Sequence, residues 1–472
     1  MNGKSQSDWA TLVGILTVAA LFRIAYCIFL PGTGRDLLHS DMGLYDKAAW
    51  QMAQQAPVVG EPGFNGYHPM SASTYVYAGY VYFLALIYAV FGHHPEAVRM
   101  IQSVIATATV WLVYVIGARV FGRRAGQIAA LLCALYLPLV YYAGLLLSET
   151  WFLFLELAVL AVWLSAWGAK SSVDPSAADL LGASSVAAGG NDTAVAPPKT
   201  SLPLAWIAGL LAGCACITRT AFLPAVASLG VFAWLLPPVP VRLRRRAALV
   251  GSFVLGSVLV IAPITIRNYQ IHKQFVLVST NGPSTFFVGH VLHTAFVPQE
   301  FTMPNDMEMA TAHRQVNWAY IRSLWMTYLA EVPDFFGEMW FSNEFWPQTT
   351  IHWRYEPVIE REHSSRVRST IDEPGGPPIG RIDFFPDLMR YVDRLLWLLI
   401  GFPLGLWAVF FLPPGSRRWV VVYAALVPFA IIPFLAPGFA RYRIPAVPLF
   451  FILAGQTIWV CLRSRRALGS RV

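Results

Sequence analysis

Two acidic residues stand where a hydroxyl could be made to react beside a membrane. The first lies in His39-Ser40-Asp41-Met42-Gly43-Leu44-Tyr45-Asp46, which follows the first long apolar run and opens a helical pattern reaching about Gln54. The second lies in Leu147-Ser148-Glu149-Thr150-Trp151, between two apolar runs with almost no loop separating them. A carboxylate within hydrogen-bond reach of an acceptor hydroxyl can take its proton as the oxygen becomes a nucleophile. Carboxylates at membrane depth are costly unless paired or facing water, so Glu149 points to a polar cavity. Each has a plainer structural reading beside the chemical one: Asp41 as the N-cap of its helix, and Glu149 as a cap or first-turn acid among lipid headgroups.

Arginines recur at the ends of apolar runs: Arg219 between two of them, Arg267-Asn268-Tyr269 after another, and Arg441-Tyr442-Arg443 just before the last. The guanidinium fork matches phosphate oxygens bidentately, so an anionic lipid headgroup would account for all three places; snorkelling anchors are the alternative. Arg23 and Glu156 lie deeper in their runs and read as satisfied polar groups of the helix bundle. His290 and His293 would share a helical face, but no third ligand follows at recognisable spacing. The sequence therefore indicates neither metal nor cofactor, while remaining compatible with a divalent ion.

The composition sets what must position these groups. Of 472 residues, 56% are hydrophobic and 13% charged, against about 25% charged in soluble domains. A soluble globular protein is excluded on that ground. Apolar runs close to the ~20 residues that cross a bilayer as helix make the chain an all-α polytopic membrane protein. The net charge of +8 comes from short basic clusters between those runs. Such clusters report orientation and give no reason to expect a nucleic-acid partner. All five cysteines lie inside apolar runs, without disulfide or zinc spacing.

About ten spans are expected: Trp9 to Leu30, Val98 to Gly117, Gly126 to Leu147, Thr150 to Trp167, Leu202 to Thr218, Phe222 to Leu236, Ala247 to Ile266, Leu395 to Leu412, Trp419 to Leu435 and Ile444 to Leu462. The ambiguous stretch is Tyr75 to Phe91. Were it to span, every later segment would invert and Arg119, Arg123 and Arg124 would face outward. Read as juxtamembrane, it leaves Lys4, those three arginines, Arg242 to Arg246, Arg417, Arg418 and the C-terminal arginines all cytoplasmic.

On that path the N-terminal module 1–266 carries a first outer loop, 31–97, and an Ala/Ser/Gly/Pro-rich cytoplasmic linker, 168–200. A long extracytoplasmic segment, 267–394, follows. It is expected to contain amphipathic helices at Val316 to Tyr328 and Pro333 to Trp346, lying among headgroups, and a mobile loop at Glu356 to Arg381. Residues 395–472 close the chain with membrane helices and a basic tail. The expected location is the inner (plasma) membrane, with the working face extracytoplasmic.

Several stretches taken together are familiar. S-D-M-G-L-Y-D-K-A-A in the first outer loop, A-R-V-F-G-R-R-A-G at an inner turn, L-L-L-S-E-T-W-F at the next outer turn, A-P-I-T-I-R-N-Y-Q-I-H-K (Ala262 to Lys273) and A-R-Y-R-I-P-A-V-P (Ala440 to Pro448) resemble the bacterial membrane glycosyltransferases of family 39. These are relatives of the protein O-mannosyltransferases and of the aminoarabinose transferase acting on lipid A. The resemblance implies a GT-C fold with outer juxtamembrane helices, and transfer of a sugar from a polyprenyl-phosphate donor to a lipid, glycan or protein acceptor outside the cytoplasm. It places the family's essential loop aspartate at Asp41 and its second acidic position at Glu149. Tyr45, His68, Arg219, Arg267, Asn268, Arg441 and Arg443 are then candidates for substrate binding. One departure falls on His68: many members carry His-Pro-Pro or Lys-Pro-Pro, whereas this chain reads Tyr67-His68-Pro69-Met70.

A transporter or a flippase of lipid-linked sugars is the competing class. It would be expected to carry paired internal repeats with broken helices near the midplane. The sequence has no such repeat, and its ionisable residues gather at one membrane face.

Overall fold

The computed structural model describes residues 3–29, 41–54, 77–168, 200–287, 306–341, 384–411, 417–432 and 440–469, and among these all regular structure is helical. Apolar runs that must leave water satisfy their own backbone, and a helix does so within one segment. The helices are α1 (Gly3–Phe29), α2 (Asp41–Ala53), α3 (Ala78–Phe91), α4 (Pro95–Phe121), α5 (Arg123–Leu135), α6 (Leu137–Ala143), α7 (Ser148–Ala166), α8 (Leu202–Thr218), α9 (Leu223–Leu235), α10 (Leu243–His272), α11 (Asn281–Phe286), α12 (Asp306–Phe341), α13 (Phe384–Asp393), α14 (Phe402–Phe411), α15 (Trp419–Ile431) and α16 (Val447–Gly469). A π-helical stretch, Arg394–Gly401, joins α13 to α14, and 3-10 turns precede α9 (Thr220–Phe222) and α16 (Ala440–Arg443).

Among the described residues six helices are long and apolar enough to cross a bilayer, within α1, α4, α7, α10, the α13–α14 unit and α16. The expected span from Gly126 to Leu147 is instead a broken one. Helices α5 and α6 meet at 61°, since Tyr136 is extended and Pro138 opens α6 without an N–H to continue the ladder. The other three expected spans correspond to shorter apolar helices, α8, α9 and α15.

Two further boundaries differ from the sequence reading. Helix α10 runs on to His272 and stops only where Lys273 turns left-handed (φ 53°), so Arg267 and Asn268 belong to its last turns instead of following it. The segment α12 is two helical stretches that meet at a kink at Leu324, where the backbone leaves helical geometry (φ −128°, ψ 34°), so the break between the two outer helices falls at Leu324, earlier than the expected one before Pro333, which lies inside the second stretch. Residues 342–346, the linker residues 169–199 and the loop 356–381 lie outside the described residues.

The packing places α7 at the centre, against α4 on one side and α8 on the other, while α8 lies along α10 and α16 lies on α5 and α14. Lipid offers no hydrophobic drive between helices, so close backbone approach has to supply the attraction. A Cβ on Gly209 would run into the Phe253 carbonyl oxygen, and the Ser257 hydroxyl donates to the Gly209 carbonyl at 3.1 Å. Small residues thus seat α8 against α10. Gly79 does the same for α3 and the end of α8, where its Cβ would lie 2.8 Å from the Thr218 nitrogen.

Candidate active site

The site begins with the short turn between α6 and α7. Gln102, fully buried on α4, donates from Nε2 to the carbonyls of Ala143 (3.2 Å) and Leu145 (2.6 Å), and its Oε1 accepts from the Tyr80 hydroxyl at 2.7 Å. One amide thereby fixes the turn that delivers Glu149 to the first turn of α7. The Glu149 side chain is wholly buried, and its Oε1 meets Arg219 Nη1 at 3.2 Å and Arg441 Nε at 3.1 Å. Arg219 arrives on the extended residue that ends α8, and Arg441 on the 3-10 turn before α16.

Arg441 then reaches past Glu149. Its Nη1 and Nη2 both lie 3.4 Å from Asp41 Oδ2, joining residues 400 positions apart. Asp41 is the first described residue of α2, and the described contacts of its carboxylate are with Arg441 instead of with its own helix's amides. Side-chain exposure rises along the chain of charges, from 0% at Glu149 through 9% at Arg219 and 14% at Arg441 to 48% at Asp41. Asp41 is therefore the member most open to its surroundings.

Two carboxylates and two guanidiniums make the cluster formally neutral. Burial alone would lower the Arg441 value; the Glu149 and Asp41 carboxylates overcome it and hold the guanidinium well above its ordinary range. Tyr45, one turn along α2, packs edge-on against Tyr80 with ring centroids 4.9 Å apart. Burial first, then the nearby Asp41 carboxylate, push its phenol well above the usual range, so the hydroxyl keeps its proton as a donor. Glu149 Oε2 has no hydrogen-bond partner among the described residues, and Glu149 and Arg23 border an internal cavity of about 10 Å³, room for about one water.

Other expected members lie elsewhere. Arg443 does not join Arg441: residues two apart on a three-residue turn cannot share a face. Its side chain is fully buried, with Nη2 2.6 Å from Asp393 Oδ2, Nη1 donating to the carbonyls of Met339 (3.3 Å) and Trp340 (3.0 Å), and the guanidinium 5.4 Å above the Trp397 ring. The Tyr136 hydroxyl completes the Asp393 carboxylate. Arg443 thus ties together α12, α13 and the α5–α6 break, with its charge matched by Asp393 in this structure.

Asn268 is likewise occupied: its Nδ2 donates to the Val276 and Val278 carbonyls at 3.2 and 3.0 Å, pinning the turn after α10. Arg267, half-buried beside it, donates to Asn268 Oδ1 at 3.4 Å. Arg23 donates from Nη1 to the Ala19 carbonyl and from Nη2 to the Cys133 carbonyl, while its buried Nε has no hydrogen-bond partner among the described residues. Glu156 is not the satisfied group expected. Two turns along α7 from Glu149, it is fully buried and neither carboxyl oxygen has a hydrogen-bond partner among the described residues. His68, His290 and His293 fall outside the described residues, among which no group of three or more His, Cys, Asp or Glu is placed to hold a metal ion.

A long apolar groove of about 820 Å³ runs between α9 and α10, lined by residues such as Val226, Trp234, Val254, Ile261 and Ile266. At one end it reaches Leu223, four residues from Arg219, and Ile266, adjacent to Arg267.

Residues 78–191 match the family model described as dolichyl-phosphate-mannose-protein mannosyltransferase. No curated protein matches the chain. Among solved structures, the apo oligosaccharyltransferase of Archaeoglobus fulgidus superposes with a TM-score of 0.54 at 16% identity, over 98% of this chain and 52% of that one. The oligosaccharyltransferase AglB of the same organism, in complex with an inhibitory peptide and a dolichol-phosphate, gives 0.53 at 15% identity, over 100% and 52%. A further structure of that enzyme, complexed with Zn and sulfate, gives 0.51 at 14% identity, over 96% and 50%. The chain spans about half the length of these enzymes and has their GT-C-type fold, that of a multi-pass membrane protein.

Proposed function

We propose that this protein is a membrane glycosyltransferase that moves a sugar from a polyprenyl-phosphate donor to an acceptor hydroxyl at the extracytoplasmic face of the inner membrane. The observation that carries the reading is Arg441, which bridges the buried Glu149 and the accessible Asp41. The isoprenoid chain of the donor fits the apolar groove between α9 and α10, whose lining includes Leu223 and Ile266. Asp41 takes the proton of the acceptor hydroxyl as its oxygen attacks the anomeric carbon; the carbon–oxygen bond to the phosphate breaks, and the electron pair leaves with the polyprenyl phosphate. That leaving group is already a stable anion, so guanidinium contacts contribute more than acid assistance. Because the resting cluster is neutral, the donor phosphate has to draw Arg441 away from Asp41, and this exchange frees the base only when donor is present. Glu149 keeps Arg219 and Arg441 in place. The acceptor is a lipid, a glycan or a protein; the reading needs no metal for any of these steps.

Deleting the gene should leave one lipid-linked sugar accumulating in the membrane and remove that sugar from cell-surface glycans, both read by mass spectrometry. An unchanged glycan and lipid profile would overturn the reading. With the accumulated lipid-linked sugar as donor, Arg441→Ala should weaken donor use by the ~1.5 to 3 kcal/mol of a hydrogen bond to a charged group, and Arg441→Lys should recover part of it, lacking the fork. Donor affinity unchanged in Arg441→Ala would take this residue out of the site.

The orientation carries its own expected result. In a cysteine-free background, a cysteine replacing the half-exposed Arg123 at the start of α5 should be shielded from an impermeant thiol reagent, and one replacing Gly376 should be labelled. Arg123 serves better than its neighbour Gly122, whose φ of 101° a cysteine would strain. Labelling at position 123 from outside would reverse the assigned face.

A further inference from the structure

Asp46 is a buried carboxylate that the proposed reaction does not use. It lies on α2 five residues after Asp41, is 5% exposed, and accepts from the Tyr88 hydroxyl. His93 Nε2 stands 2.9 Å from its Oδ2 and 3.0 Å from its Oδ1; since an ionised carboxylate only accepts, the imidazole is the donor. Trp50, one turn further along α2, stacks on the His93 ring at 4.9 Å and meets Tyr88 edge-on at 6.2 Å. Both partners belong to one structural piece, Tyr88 to α3 and His93 to the turn that joins α3 to α4.

That piece is itself anchored. Gly79 brings α3 against the end of α8, beside Arg219, and Tyr80 donates to Gln102, the residue that fixes the turn before Glu149. The main packing of α2 is against α3. Asp41 and Glu149 are thus referred to a common frame, Glu149 through Gln102 and Asp41 through whatever holds α2 on α3. Aromatic contacts alone would let α2 slide, whereas a carboxylate with two directed donors fixes its rotation and its register. Burying that charge is costly unless it is bonded, and the Tyr88 hydroxyl and His93 Nε2 together give both Asp46 oxygens a donor.

We infer that Asp46, held by Tyr88 and His93, is a positioning residue that sets α2 so that Asp41 reaches Arg441. The inference rests on the reading of Asp41 as the base. It is tested with the full-length protein in lipid nanodiscs and the lipid-linked sugar extracted from the deletion strain as donor, comparing Asp46→Ala, Asp46→Asn, His93→Ala and His93→Gln at matched folded amounts. Asp46→Ala should lower kcat by roughly 10- to 100-fold, the scale of a misplacement of about 1 Å, with donor KM little changed. Asp46→Asn, which keeps an accepting oxygen for Tyr88, and His93→Gln, which keeps a donor, should each be milder than the corresponding alanine. In an Asp41→Asn background, Asp46→Ala should cause no further loss, because the group it positions no longer works. The His93 pair serves if Asp46→Ala fails to fold, since the imidazole is partly exposed. Equal losses in both backgrounds, or an effect on KM alone, would overturn the inference while leaving Asp41 as the base. A silent Asp41→Asn would remove the base assignment itself, and the positioning role with it.

Discussion

Asp41→Asn should yield a folded, membrane-inserted protein that transfers sugar at least ~100-fold, and up to ~10,000-fold, more slowly than the native enzyme, the range associated with a positioned general base. The substitution is conservative in every respect but one. Asparagine has the same size, is tolerated at a helix start, and keeps an oxygen that can accept from Arg441 where Asp41 Oδ2 now lies at 3.4 Å. Arg441 also retains Glu149 at 3.1 Å, so no buried cation loses its last partner. Because the Asp41 side chain is half exposed, losing its charge exposes no desolvated group either. The amide cannot take a proton from the acceptor hydroxyl, and that is the function under test. Turnover of purified variants with saturating donor, at matched folded amounts, separates the cases. Near-native turnover would mean that Asp41 only closes the cluster electrostatically.

Much of the scaffold was legible because it follows from run length: α1, α4, α7, α10 and α16 are where long apolar stretches lie, and lipid leaves their backbone few other options. Breaks were harder. The run from Gly126 to Leu147 is continuous in hydropathy, yet Pro138 bends it by 61°, while the kink that divides α12 falls at Leu324 and Pro333 lies within helix. Local composition says where a helix can yield, and tertiary packing decides whether it does. At the site, acidic and basic residues at the ends of apolar runs marked Asp41, Glu149, Arg219 and Arg441 as candidates. Their pairing carried no local signal, since it joins segments as many as 400 residues apart. Arg441 and Arg443 were indistinguishable until the phase of the 3-10 turn sent one to Glu149 and the other to Asp393. Asp46 sat within the same motif as Asp41 but was masked by it; a second carboxylate five residues on, amid aromatic residues, was the available signal.

Glu149→Gln is expected to act on the fold before it acts on the reaction, and here the geometry revises what position alone suggests. The Glu149 carboxylate is fully buried and is the common partner of two nearly buried guanidiniums, at 3.2 and 3.1 Å. Removing one partner of a buried ion pair typically costs ~3 to 5 kcal/mol, because the remaining charge is left uncompensated. Arg441 would still reach Asp41, but Arg219, 9% exposed, would face a neutral amide with Arg441 close beside it. The loss should therefore appear as a lower unfolding midpoint in one fixed detergent, together with reduced transfer. A double variant separates the charge from the shape. In Glu149→Gln with Arg219→Gln, the stranded cation and its repulsion with Arg441 are both gone, and much of the lost stability should return even though two native contacts are missing. If the single variant is as stable as the native protein, the pair is screened by water entering the neighbouring cavity and Glu149 is not the electrostatic keystone. If the double variant is less stable than the native protein by the sum of two independent losses, the contacts matter through packing and not through charge. Arg219→Gln alone, folded and stable yet slow in transfer with a raised donor KM, would place Arg219 on the donor phosphate as well.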